Sequence, residues 1–323
     1  MTVAAEEWLD LLEREYLADF ITAGGAAVKF VVGDGDQLAF VQRRLRELSE
    51  RHNLIFISMD AGDTRLHMIQ DVFFAVARAL GWHALAQHFV EALFNKNGYT
   101  WPEPGHPVPM AELATANRID ITLLRREVRQ WLTEEILRDS QMTQDFRVAM
   151  AQICLLQMEP LSSETTIEIP IIEWLKGRLR AISALKSAPI NAKITRYNGR
   201  AMLRSLCRWL HKSGKHGLCL ALDIRQLGRT GKSTDGRFRY SPGSVMDGFE
   251  VLRQLIDEAE HFTGMQLVVL ADGSLTGDDD RRSLDAYLAL KMRIWNDVRA
   301  EGRDDPLAPL VQLAAPAIAE SPP

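Results

Sequence analysis

The apolar run Ala27-Val28-Lys29-Phe30-Val31-Val32 ends in Gly33-Asp34-Gly35, and a second run, Leu218 to Leu222, ends in Asp223. A glycine turn between a strand and a helix is a place where backbone N–H groups can wrap a phosphate. In the complete loop, G-x-x-x-x-G-K-[ST], the lysine neutralises the β- and γ-phosphates and the hydroxyl holds magnesium. An aspartate ending a neighbouring apolar strand helps hold the same ion. Here the residues after Gly33 are Asp34-Gly35-Asp36-Gln37-Leu38, with no lysine and no hydroxyl. Asp34 and Asp36 would meet phosphate with the wrong sign of charge. The plainer alternative is a strand-to-helix turn that needs glycine. Asp223 is followed by Ile224, where an active ATPase of this class carries a glutamate that activates water. Asp223 reads equally as a magnesium-holding residue or as a simple strand end. Gly33, Asp34, Gly35 and Asp223 therefore form a degenerate nucleotide site, with no catalytic residue and no cofactor expected. ATP and magnesium enter only if an altered loop still binds them. Gly231-Lys232-Ser233 is a second, poorer match, because Gln226 stands where the first glycine belongs. Asp235-Gly236 and Ser241-Pro242-Gly243 predict turns there, not a helix.

The other candidate chemistry is electrostatic. Between Lys176 and Arg239 the chain has 16 Lys/Arg and two acids, a charge of +14, which leaves −5 − 14 = −19 for the rest. Arg196, Arg200, Arg204, Arg208 and Lys212 recur every four residues on one expected helix and make a slowly winding stripe. Like charges at that spacing repel by a few tenths of a kcal/mol per pair, so a compensating anion is expected. Lys193, Lys215, Arg225, Arg229, Lys232, Arg237 and Arg239 extend the basic region, the later ones in a long polar loop expected to be flexible. Nucleic-acid backbone is one ligand that fits, since each neutralised phosphate releases counterions. An acidic partner protein is another, and internal pairing with acids such as those of Glu6–Glu15 is a third. Aromatic residues are sparse beyond Tyr197 and Trp209, so contact with backbone is expected ahead of base stacking. Arg281 and Arg282 follow the acidic Asp278-Asp279-Asp280, and a solvated helix start is the plain reading; only in an AAA+-like assembly could Arg281 or Arg282 reach a neighbouring subunit's nucleotide.

These residues need elements to position them. Apolar spacing predicts a helix over Trp8–Ile21, a strand over Ala27–Val32, a helix over Asp36–Arg51, a strand over Leu54–Met59 and a helix over Leu66–Leu80. That alternation implies a parallel sheet with crossover helices. From Trp82 to about Ala188 only helices are expected. The alternating pattern then resumes with a helix over Ala192–His211, strands at Leu218–Leu222 and Gln266–Leu270, and helices over Val245–His261 and Leu284–Arg299. The expected organisation is an α/β P-loop-like core in two parts, 1–81 and 191–303, interrupted by a helical insertion at 82–190. A loosely held Pro/Ala-rich tail follows at 304–323.

The remaining composition narrows the function classes. Cys154, Cys207 and Cys219 are isolated among apolar residues, which argues against a disulfide framework or zinc site and for a reducing, cytoplasmic setting. His83 and His88, like His211 and His216, are five apart, a poor spacing for a shared metal on a helix. The start, Met1 to Glu7, is acidic and leads into no apolar core, which argues against a signal peptide. No apolar run approaches the roughly 20 residues of a membrane helix.

Segments spread over most of the chain carry a family resemblance. They are Tyr16-Leu17-Ala18-Asp19-Phe20-Ile21 through Gly24-Gly25, Lys29-Phe30-Val31-Val32-Gly33, Asp60 with Arg65-Leu66-His67, Val251 to Asp257, Leu267-Val268-Val269, and Asp280-Arg281-Arg282 with Tyr287. With them the chain resembles the ATP-binding proteins of BREX-type bacterial phage-defence systems. The resemblance implies an AAA+-like P-loop core with a mostly parallel sheet, and a role in antiviral defence within a multi-protein assembly acting on DNA. Its members normally keep a complete G-x-G-K-[ST] loop, from which this sequence departs. The expected function is a non-catalytic scaffold or adaptor subunit that contacts DNA and other defence subunits, with oligomerisation open. The alternatives are an ATP-binding regulatory subunit whose site a partner completes, and a purely protein-binding module.

Overall fold

The computed structural model describes residues 2–159, 167–231, 235–278, 281–295 and 305–314. In chain order the main elements are β1 Thr2–Val3, α1 Ala5–Leu12, β2 Ala26–Val32, α2 Gly35–Arg51, β3 Leu54–Asp60, α3 Ile69–Ala79, α4 Trp82–Lys96, α5 Met110–Ala116, α6 Ile121–Leu132, α7 Gln144–Leu156, α8 Glu168–Leu175 and α9 Gly199–Lys212. They continue with β4 Gly217–Asp223, α10 Pro242–Asp257, β5 Met265–Ala271, α11 Leu288–Ile294 and β6 Leu310–Leu313. The chain divides into two compact units, one formed by Met1–Val72 with His216–Pro323 and the other by Phe73–Lys215.

The first unit holds a parallel sheet in the order β1-β6-β2-β5-β4-β3. Two strands that come later in the chain, β4 and β5, lie between β2 and β3, the arrangement of an AAA+-like P-loop core. β5 is buried along its whole length and β4 up to Asp223, so both are nearly continuous apolar runs, as central parallel strands must be. On one face Leu38, Val41, Leu45 and Leu48 of α2 pack with Trp8, Leu9 and Leu12 of α1 over Val31, Ala221 and Val268. Trp8, Leu12, Val41 and Leu45 are fully buried, and each such side chain contributes about 1.5–3 kcal/mol.

Three local expectations need correction here. The expected tail contains β6, whose Val311 pairs with Val31 and whose Gln312 pairs with both Val32 and Thr2. Its four residues are too few to show a period, and the flanking prolines suggested looseness. The helix expected over Leu284–Arg299 is a short turn at Leu284–Ala286 followed by α11; residues 296–304 lie outside the described ones. The loop from Ile224 to Ser241 is strapped down where described. Phe238 N donates to Gly62 O at 2.7 Å, and the Tyr240 hydroxyl accepts from Leu66 N at 2.9 Å and donates to Ala61 O at 2.8 Å. His67 stacks on Phe238 with centroids 5.5 Å apart and meets Tyr240 edge-on.

The second unit, Phe73–Lys215, is helical where described, and its bounds are wider than the insertion expected at 82–190. Its core is aromatic: Phe94 packs against Trp101 and Trp131, and Phe89 lies 5.0 Å from Trp209. The helix expected from Ala192 starts at Gly199. Before it, the Asn198 side chain donates to Lys193 O and accepts from Thr195 N at 2.7 Å, fixing a turn in place of a helical one. Cys154, Cys207 and Cys219 are buried free thiols, and burial pushes Cys207 up to about 12 and Cys219 to about 11.

The starts of β4 and β5 meet through two glycines. A Cβ on Gly264, whose φ is +63°, would lie 2.3 Å from His216 O. Gly264→Ala is expected to lower stability by about 1–3 kcal/mol, read as a shift in the urea midpoint. The strap supplies a pH dependence. Burial holds His67 below its ordinary pKa, offset in part by Asp247 and Asp71 and reinforced by Arg65. A depressed folded pKa means that stability is complete above the unfolded value of about 6.5 and falls as pH drops through the folded one. The urea midpoint should therefore fall on acidification below about pH 6.5, and His67→Phe should remove that part of the fall.

Candidate functional site

The crevice at the carboxyl ends of the strands is where open α/β sheets bind ligands. β2 delivers Gly33 there, its N–H donating to Ala271 O at 3.0 Å. Asp34 caps α2. Its carboxylate accepts from Gln37 N at 2.9 Å, and Gln37 Oε1 accepts from Asp34 N at 3.0 Å. This reciprocal capping box satisfies donors that a phosphate loop would turn toward its anion. Gln37 Nε2 also donates to Ala314 O at 2.5 Å, just beyond β6. A Cβ on Gly33 would lie 3.0 Å from both Leu313 and Gln37. Glycine at that position thus admits the chain's own side chains.

Asp223, at the end of β4, is clasped by Arg225. The guanidinium donates from Nε to both carboxylate oxygens at 3.0 Å and from Nη2 at 2.6 Å, and the Arg225 backbone N–H adds a bond at 3.0 Å. The hydrogen bonds from Arg225 to Asp223 outweigh the cost of burial, which raises the arginine's pKa; Asp272 and Asp60 add to that pull. Arg225 Nη1 would lie 3.5 Å from a Cβ on Gly35. Ile224, in the position of the activating glutamate, is buried.

The neighbouring strand ends repeat the pattern. Asp60, ending β3, accepts from Gly62 N at 2.6 Å and pairs with Arg237. Asp272, following β5, accepts from Ser274 N at 3.0 Å and Ser274 Oγ at 2.5 Å. A cavity of about 10 Å³ lies between Arg225, Asp272, Ser274 and Arg282, room for about one water. Asp272, Gln37 and the part played by Arg225 were missed in the sequence. The Asp-x-x-Gln spacing of the capping box and the aspartate closing each strand were the available signals.

Arg282 donates to Leu227 O at 2.9 Å, Arg229 O at 3.4 Å and Tyr240 O at 2.9 Å. It pins its own chain's loop, a poor starting point for reaching a neighbouring nucleotide; Arg281 is exposed. In the same loop Arg229 is exposed, Arg237 holds Asp60 and Arg239 lies 3.3 Å from Asp235. Lys232 and Ser233, of the second glycine-lysine match, lie outside the described residues.

The structure divides the expected stripe. Arg208 Nε lies 3.0 Å from Asp139, and Lys212 lies 3.4 Å from Asp139 and 3.5 Å from Glu135. Burial would raise the Asp139 pKa, but the hydrogen bonds from Arg208 and Gln141 N and the charges of Arg208 and Lys212 hold it below the usual range. The C-terminal end of the stripe is thus paired internally, with acids of the helical unit. Arg200 and Arg204 are half-buried on α9, and Lys215 follows it. Lys193 and Arg196 are exposed and precede the helix. Trp209 is fully buried, whereas Tyr197 is exposed.

Among the described residues no group of three or more His, Cys, Asp or Glu side chains is placed to hold a metal, and no helix is long and apolar enough to cross a membrane. No curated protein and no solved structure matches the chain. A family model, described as BREX system ATP-binding protein BrxC/D, matches residues 2–318. The resemblance, the sheet order and a match over nearly the whole length agree: the chain belongs to the BREX system ATP-binding protein BrxC/D family.

Proposed function

We propose that this protein is a non-catalytic P-loop-fold subunit of a bacterial anti-phage system, acting as a scaffold or adaptor for other defence subunits and contacting nucleic-acid backbone. The capping box at Asp34–Gln37 carries the reading. Phosphoryl transfer is catalysed chiefly by positive charge and donors aimed at the phosphates. Here Asp34 answers the α2 donor with a carboxylate, no lysine follows, and Arg225 takes up Asp223. The residues present do not fit magnesium-ATP in the usual pose. The nucleic-acid part rests on the cations of Lys193–Arg239; no acid lies between Glu173 and Asp223.

A second reading, an ATP-binding regulator with an altered loop, draws on the Arg225 guanidinium, which would lie 3.5 Å from a Cβ on Gly35, and on the family's description. In it Arg225 supplies the cation that the loop lacks, and a partner subunit completes the site.

Purified protein is expected to show no ATP hydrolysis above background. Turnover abolished by Asp223→Ala would overturn the proposal. Calorimetry with magnesium-ATP separates the readings, since a one-site isotherm lost in Arg225→Ala supports the second. Asp34→Ala should cost about 0.5–2 kcal/mol of stability through the lost cap and create no turnover. Charge reversal at Arg200 and Arg204 is expected to weaken retention on DNA and to flatten its salt dependence. Unchanged retention with loss of partner binding would mark a protein-docking surface instead.

A further inference from the structure

Tyr197 is 83% exposed, more than any other large apolar side chain among the described residues. Its surroundings are ordered and basic. Gly199 N donates to Thr195 O at 2.8 Å, and the Asn198 side chain ties Lys193 O to Thr195 N across the same turn. The ring therefore projects from a hydrogen-bonded turn at the start of α9. The Arg196 guanidinium lies 4.9 Å from its centroid and donates to the Tyr197 hydroxyl at 2.9 Å. A ring exposed to this degree has at most one face covered. Lys193 precedes the turn and Arg200 follows on the first turn of α9, whose N-terminus adds partial positive charge.

A large side chain held out of the core forgoes the gain of burial, and one set among cations is shielded from apolar partners. The ligand that uses both features is a chain of phosphates bearing flat, unpaired bases: the cations track the backbone and the ring takes a base. In a duplex the base faces are covered by their neighbours, so a surface aromatic finds nothing to stack on. We infer that the basic surface at the start of α9 binds single-stranded nucleic acid, with Tyr197 stacking on an unpaired base and Arg196 holding the far face of the ring. This inference rests on the nucleic-acid part of the proposed function and sharpens it.

The test is fluorescence anisotropy of the full chain with labelled oligothymidylate, oligouridylate and a DNA duplex of equal length. The single strands should bind more tightly than the duplex. Tyr197→Ala should weaken single-strand binding by about five- to a hundredfold, leave duplex binding unchanged, and be rescued by Tyr197→Phe or Tyr197→Trp. The difference between thymidylate and uridylate decides whether DNA or RNA is the natural source. Equal affinity for strand and duplex, or an unaltered single-strand affinity in Tyr197→Ala, overturns the stacking role. In that case a loss in Arg200→Glu/Arg204→Glu still leaves the basic surface standing. If the native protein binds none of the three probes, the nucleic-acid reading fails and this inference fails with it.

Discussion

The carboxyl edge of the sheet gathers negative charge. β3 ends in Asp60, β4 in Asp223, β5 leads into Asp272, and Asp34 stands at the end of β2. Carboxylates on neighbouring strands must be balanced, because like charges at close range in a partly buried crevice cost more than in water. A working nucleotide site of this class meets that need with a lysine and a bound magnesium ion. This chain meets it with its own groups: Arg225 on Asp223, Arg237 on Asp60, Ser274 on Asp272, and the Gln37 amide on Asp34.

Much of the surrounding architecture serves that balance. Arg237 reaches Asp60 because the end of the loop from Ile224 is bonded to the segment after β3, where Phe238 and Tyr240 both meet His67 and Arg282 gathers loop carbonyls. β6 closes the other side, its Leu313 against Gly33 and the following Ala314 carbonyl on Gln37. A crevice braced in this way is suited to holding a shape, whereas in the helical unit Lys193 and Arg196 stand exposed ahead of α9.

The strands β2 to β5 were legible in the sequence because buried parallel strands are uninterrupted apolar runs, and α2 because Leu38, Val41, Leu45 and Leu48 keep a helical period. β1 and β6 were not, being two and four residues long. Their pairing depends on partners far away in the chain. The departure of the phosphate loop could be read directly from Asp34 and Ile224, but what replaces it could not. That Arg225 turns back on Asp223 is a matter of rotamer and loop path. The pairing of Arg208 and Lys212 with Asp139 and Glu135 joins α9 to the stretch after α6, which sequence spacing does not connect to it. Tyr197 and Trp209 looked alike as aromatics near a basic stripe, yet one is solvent-facing and the other fully buried. Trp209 follows the apolar face of α9, while Tyr197 precedes the helix and escapes that face.

The central claim is that the loop after β2 holds the chain's own carboxylate in place of a phosphate. Amide hydrogen exchange across Asp34–Leu38, with and without saturating magnesium-ATP, tests it most directly. The account predicts that Gln37 and Leu38, which already donate to Asp34 at 2.9 and 3.0 Å, exchange at the same rate in both conditions, and that Gly35 and Asp36 gain no protection. Protection of Gly35, Asp36 and Gln37 that appears only with nucleotide would show the loop wrapping a phosphate after all, and would contradict it.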